Sequence, residues 1–128
     1  MKILLDTCSF LWISLEPEKL SDQAMSAFKN PANTVFLSSV TNWEIGIKFH
    51  LGKLVIPAAP EAFIPTERKT HKIASLKLAE EDSFHLSKLP DIHKDPFDRI
   101  LICQAIENGL TLLTSDRYIQ QYPVKTLW

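Results

Sequence analysis

The chain has 128 residues, 45% of them hydrophobic and 23% charged, with a formal net charge of −1. That length suits one folded domain, 1–128, with a full core; it excludes two domains, and the composition excludes a disordered chain. A balance this close to neutral gives no global attraction for nucleic acid, so any such binding rests on a local basic patch or on bound cations.

Met1-Lys2-Ile3-Leu4-Leu5 sets a lysine before an apolar run, but Asp6 interrupts it, and no stretch reaches the length needed to span a membrane. A cytoplasmic chain is expected. Lys2 to Leu5 reads as a buried parallel strand, because strands covered on both faces lose the polar alternation. Thr7 to Leu15 follows as a short helix stopped near Pro17, and Ser21 caps a second helix that Asn30-Pro31 breaks. Thr34 to Ser38, β-branched and aromatic, is a second strand. Ser39 or Thr41 caps the next helix, which runs through Glu44 and Lys48 to Gly52.

Leu54 to Pro57 is an extended link, and Glu61 to Thr70 is read as a helix. Lys72 to Lys77 is a third strand with Ile73 and Leu76 inward, and Ala79 to Leu89 another helix. The stretch from His93 to Gly109 then carries its own start and stop signals: Asp95 as cap, Pro96 at the first helical position, Gly109 just past the end. Its body, Ile100 to Ile106, is apolar on nearly every side and demands burial. Leu110 to Thr114 is a fourth strand, Arg117 to Gln121 a helical turn, and Val124 to Leu127 a short edge strand. Cys8 and Cys103 lack Cys-x-x-Cys spacing and are read as buried free thiols.

Strands that alternate with helices give an α/β fold, here a three-layer α/β/α sandwich around a mostly parallel sheet of four to five strands. Ligands on such sheets bind beyond the carboxyl ends of the strands. Asp6 ends the first strand and Asp116 the fourth; Glu44 opens the helix after the second, and Asp98 lies in the first turn of the helix entering the fourth. Each has an ordinary structural account. Asp6 and Asp116 suit turns, Glu44 has Lys48 one turn later, and Asp95-x-x-Asp98 resembles a capping box. Together, though, four carboxylates in one cleft repel unless a hard divalent cation offsets them, and Mg²⁺ or Mn²⁺ suits carboxylate ligands. A metal held this way lowers the pKa of a water and stabilises charge on a leaving oxygen, which points to phosphodiester hydrolysis.

Other phosphate chemistries lack their residues. Cys8 stands where a haloacid-dehalogenase-like phosphatase wants a second aspartate, and a response-regulator receiver would want an acidic pair near Asp6. Three glycines cannot assemble a P-loop or a dinucleotide fingerprint, and no Gly-x-Ser-x-Gly occurs.

Ile3-Leu4-Leu5-Asp6-Thr7, Ser38-Ser39-Val40-Thr41-Asn42-Trp43-Glu44-Ile45, His93-Lys94-Asp95-Pro96-Phe97-Asp98-Arg99-Ile100-Leu101-Ile102 and Leu113-Thr114-Ser115-Asp116 together resemble the PIN-domain nucleases, specifically the VapC toxins of toxin–antitoxin pairs. The match covers essentially the full chain in motif order. It implies a PIN-like fold and a Mg²⁺- or Mn²⁺-dependent endoribonuclease whose acidic quartet is Asp6, Glu44, Asp98 and Asp116, leaving 5′-phosphate and 3′-hydroxyl ends on RNA. It also implies a cognate antitoxin protein and a homodimer. Thr7, Asp95 and Ser115 are candidates to orient the acidic groups, though each also suits a helix cap. Lys48, Arg99 and Arg117 are candidate phosphate contacts, while the dense cluster Arg68, Lys69, His71 and Lys72 reads as solvated surface. His93-x-Asp95 is too little for a zinc site. Phe10, Trp12 and Trp43 suit either the core or a partner surface. The rival reading is a catalytically inactive PIN-like binding module that acts through protein partners.

Overall fold

A computed structural model describes all of residues 1–128. Five strands, β1 (Lys2–Leu5), β2 (Thr34–Ser38), β3 (Ala74–Leu76), β4 (Thr111–Leu113) and β5 (Thr126–Leu127), form one sheet in the order β3-β2-β1-β4-β5. Every pairing is parallel. Six helices accompany it: α1 (Thr7–Leu15), α2 (Asp22–Lys29), α3 (Ser39–His50), α4 (Pro60–His71), α5 (Glu80–Phe84) and α6 (Pro96–Glu107). No helix is long and apolar enough to cross a membrane.

The period of two along a strand sorts the core into two layers. Ile3 and Leu5 of β1 join Leu37, Leu113, Phe10 of α1, Ala24 of α2 and Phe63 of α4 on one face. Leu4 points the other way, to Leu112 and to Leu101, Ile102 and Ala105 of α6. Both faces of the central strand are therefore dry, which is why its sequence shows no polar alternation. Helix α3 straddles the layers, with Ile45 in the first and Val40 in the second.

Helix α6 has the ends its sequence predicts. Asp95 accepts hydrogen bonds from the N–H groups of Phe97 (2.8 Å) and Asp98 (3.3 Å), Pro96 opens the helix, and Gly109 takes φ +64° just beyond it. Gln104, fully buried in its middle, accepts from the Ser38 hydroxyl and donates to the Lys77 carbonyl (3.3 Å). These two bonds fix the helix against the carboxyl ends of β2 and β3.

Several boundaries differ from the sequence reading. Ser38, not Ser39 or Thr41, caps α3, its hydroxyl accepting from Val40 N–H (3.0 Å). Strand β3 is shorter than Lys72 to Lys77 because Lys72 closes α4 in the left-handed region at φ +55°, which no strand residue adopts. Ile73 is buried as expected and Leu76 half-buried. The helix expected over Ala79 to Leu89 breaks into α5 and a 3₁₀ turn at His85–Lys88. There the hydroxyls of Ser83 and Ser87 bond carbonyls three residues back and tighten the chain. Cys103 is buried as expected, but Cys8 is exposed.

Ser38→Ala removes both the α3 cap and the partner of a buried amide oxygen. It is expected to lower stability by about 2–3 kcal/mol in a denaturant titration, whereas Ser39→Ala changes it by under about 0.5 kcal/mol.

Candidate functional site

Strand β1 sends its chain toward β2, while its neighbour β4 sends its chain the other way, toward β5. Between adjacent strands whose connections diverge, a crevice opens at the carboxyl ends. Here it is a cleft of ≈ 310 Å³, and Asp6, Glu44, Asp98 and Asp116 all line it. The four acidic side chains expected from the sequence meet, although four separate segments deliver them.

Asp6 is 5% exposed and caps α1, one oxygen accepting from Ser9 N–H (2.7 Å) and the other from the Thr114 hydroxyl. Burial raises its pKa despite these bonds, and the charge of Asp116 adds to the rise. Thr114 also accepts from Asp116 N–H (3.0 Å), so one hydroxyl joins the two strand ends. Asp116 divides its work between its oxygens. Oδ1 accepts from the N–H groups of Tyr118 (2.8 Å) and Ile119 (3.3 Å), a turn cap, while Oδ2 lies 3.4 Å from His93 Nε2.

Asp98 departs from the capping box its spacing suggests. The backbone N–H of Asp95 donates to His93 Nδ1 (3.3 Å) instead, and Asp98 Oδ2 lies 2.9 Å from His93 Nε2. Burial, then the charges of Asp95 and Asp6, push the Asp98 pKa up to about 7, with His93 opposing. Glu44 is 3% exposed: its Oε1 accepts from the Thr7 hydroxyl (2.8 Å) and its Oε2 pairs with Lys48. Partial burial works against the Lys48 ammonium, yet the bond and charge of Glu44 hold its pKa above the usual lysine value.

Thr7, Asp95, Ser115 and Lys48 line the cleft, as does the exposed Cys8. Arg99 does not reach it. Its guanidinium donates to the carbonyls of Pro90 (3.1 Å) and His93 (3.4 Å) and to the Tyr122 hydroxyl (3.1 Å), bracing the loop before α6. Arg117 is exposed outside the cleft lining. His71 and Lys72 of the basic cluster border a different hollow, beside Thr34 at the amino end of β2. Phe10 is buried, Trp12 packs on Trp128 at 5.8 Å, and Trp43 is 70% exposed.

Two side chains outside the expected set serve the acidic groups: His93 in the cleft lining, and Thr114 through its bonds to Asp6 and Asp116. Nothing in the spacing singles out Thr114, whereas His93 stands at the head of the acidic motif. Its Nε2 is buried without an aligned hydrogen-bond partner, and its ring packs on Tyr118 at 5.4 Å. One ligand atom from each of His93, Asp98 and Asp116 lies within 4.8 Å of the others. An oxygen-rich donor set around an orphaned polar atom is chemistry that fits a hard divalent cation.

A family model for the PIN domain matches residues 3–125. The chain belongs to the PIN-domain family. Solved structures give the same fold at low identity. VapBC2 from Rickettsia felis, bound to a DNA fragment from its promoter, aligns with a TM-score of 0.73 at 15% identity, covering 98% of this chain and 97% of that one. DNA-bound VapBC from Salmonella typhimurium aligns at 0.69 and 18%, covering 98% and 96%. VapBC-1 from nontypeable Haemophilus influenzae aligns at 0.60 and 18%, covering 98% and 96%. No curated relative matches the chain. The resemblance read from the motifs therefore holds for the family and for the fold.

With cations chelated, this PIN domain is expected to unfold in a proton-linked way. Between about pH 4, where an unfolded carboxylate titrates, and about 7, where Asp98 does, the folded state keeps a proton that the unfolded state has lost. Stability then falls as pH rises across that window and stays at its floor above it. Asp98→Asn should raise the melting temperature at pH 8 by about 3 °C or more and flatten the pH profile. A lower melting temperature at pH 8 would make Asp98 a structural anchor.

Proposed function

We propose that this PIN domain is a Mg²⁺- or Mn²⁺-dependent endoribonuclease, the toxin member of a toxin–antitoxin pair. The observation that carries the reading is the crowding of carboxylates at the switch point of the sheet with one lysine to balance them. Asp98 and Asp116 each turn an oxygen into the cleft, and Asp6 stands behind them. These three, with Glu44 completing the quartet, would hold the cation. When bound, a divalent cation there supplies Lewis-acid stabilisation of charge on a phosphodiester.

The other side chains have supporting tasks in this reading. Thr7 and Lys48 fix Glu44 from both sides, and Thr114 fixes Asp6 relative to Asp116. Asp95 sets the start of α6 and so the position of Asp98, and Ser115 lines the cleft beside Asp116. Lys48 Nζ is the cation of the cleft available to a phosphate oxygen; Arg99 is withdrawn from that task by its loop contacts, and Arg117 by its distance from the lining.

A protein partner is supported by the outer side of α3. Trp43, Gly46, Ile47 and Leu51 border an apolar hollow of ≈ 340 Å³. An exposed tryptophan among aliphatic neighbours is the composition of an interface anchor, for an antitoxin or for a second copy.

Purified protein given single-stranded RNA and Mn²⁺ is expected to cut it to 5′-phosphate and 3′-hydroxyl ends, with chelator stopping the reaction. Asp98→Asn and Asp116→Asn should each slow cleavage by at least about a hundredfold. Absence of both cleavage and Mn²⁺ uptake by the unaltered chain would favour the inactive binding module. Co-expression with the product of the neighbouring gene should yield a complex, and recovery of a lone monomer counts against the antitoxin.

A further inference from the structure

We propose that His93 is a positioning residue that competes with the divalent cation for Asp98 and Asp116, and that its ring leaves the space between them when the cation binds. The inference rests on the reading of the cleft as a cation site and concerns what guards that site. Its first support is the tautomer. Nδ1 of His93 accepts the backbone N–H of Asp95 (3.3 Å), and an accepting ring nitrogen bears no hydrogen, so the ring hydrogen sits on Nε2. That N–H lies 2.9 Å from Asp98 Oδ2 and 3.4 Å from Asp116 Oδ2.

A nitrogen that carries hydrogen has no lone pair to give a metal. Moving the hydrogen to Nδ1 would set it against the Asp95 N–H. In this arrangement the His93 N–H faces the two carboxylates and the nitrogen is not a third ligand. The second support is the weakness of these contacts. Neither contact is aligned as a hydrogen bond, so Nε2 remains an orphaned buried atom. The backbone around it, by contrast, is anchored: His93 N–H donates to the Tyr122 hydroxyl (2.7 Å), and Arg99 reaches both the His93 carbonyl and that hydroxyl. To leave the cleft the ring turns about its side-chain bonds beside Tyr118, which is 57% exposed, and gives up only the 3.3 Å contact from Asp95 N–H, while the backbone anchors stay in place.

Mn²⁺ binding measured by calorimetry on the full chain separates the possibilities. His93→Ala is expected to bind Mn²⁺ roughly fivefold to tenfold tighter than the unaltered chain, because the N–H dipole that faces both carboxylates and the ring that fills the space between them are gone. Equal or weaker binding overturns the competition and makes the ring neutral or a ligand. No Mn²⁺ uptake by the unaltered chain would instead overturn the cation reading of the cleft, and this inference with it. A second measurement needs no variant: ¹⁵N spectra of labelled histidine should show hydrogen on Nε2 of His93 with chelator and still with Mg²⁺, its environment changed. Loss of that hydrogen on adding Mg²⁺ overturns the proposal.

Discussion

The pairing of β1 with β4 is the constraint on which this molecule depends. Lys2 to Leu5 and Thr111 to Leu113 are separated by most of the chain, yet they lie side by side at the centre of the sheet. Ser9 donates to the Leu113 carbonyl (3.0 Å) and Asp6 N–H bonds the same oxygen (3.3 Å), so the exit of one strand is tied to the exit of the other. With that junction made, Asp6 and Asp116 have no choice but to share an edge. The dry layers on both faces, with Phe10 on one side and Leu101 on the other, keep the strands in register. Burying apolar surface thus sets the address of the polar groups.

Gathering like charges has a cost, and the chain distributes the compensation unevenly. Glu44 receives a lysine and a threonine, Asp6 a backbone amide and a threonine, and Asp116 two amides on one oxygen only. Asp98 receives least, a misaligned imidazole, and its pKa rises to about 7, while burial raises that of Asp6 in spite of its partners. The carboxylate with the fewest permanent partners is the one with most to gain from a transient one. An acidic residue at a helix N-terminus would ordinarily be stabilised by the helix dipole. Here desolvation and the neighbouring aspartates outweigh it.

Much of this was written in local sequence. Pro96 after Asp95 and Gly109 after Asn108 delimit α6 to the residue, because cap, fixed φ and left-handed turn are chemistry of single positions. The apolar run of β1 and the β-branched run of β2 likewise declare buried parallel strands. What local sequence did not declare are choices made by long-range partners. Ser38, Ser39 and Thr41 are equivalent as caps until Gln104 arrives from the far side of the fold to claim Ser38. Arg99 looks like a phosphate ligand beside Asp98 until the loop from Pro90 to His93 closes over it. His93 falls between these cases. Its position in the motif is visible, but its task depends on Asp116, whose nearness only the β1–β4 junction creates.

The distance along the chain from Asp6 to Asp116 bears on how the protein can be made. A ribosome delivers Asp6 long before Asp116, and β4 cannot dock on β1 until its own residues have left the exit tunnel. Until then each nascent chain carries an incomplete cleft, with Thr114 not yet present to hold the two ends together. Whatever chemistry the finished cleft performs, the translating ribosome is spared it until β4 has emerged and paired with β1.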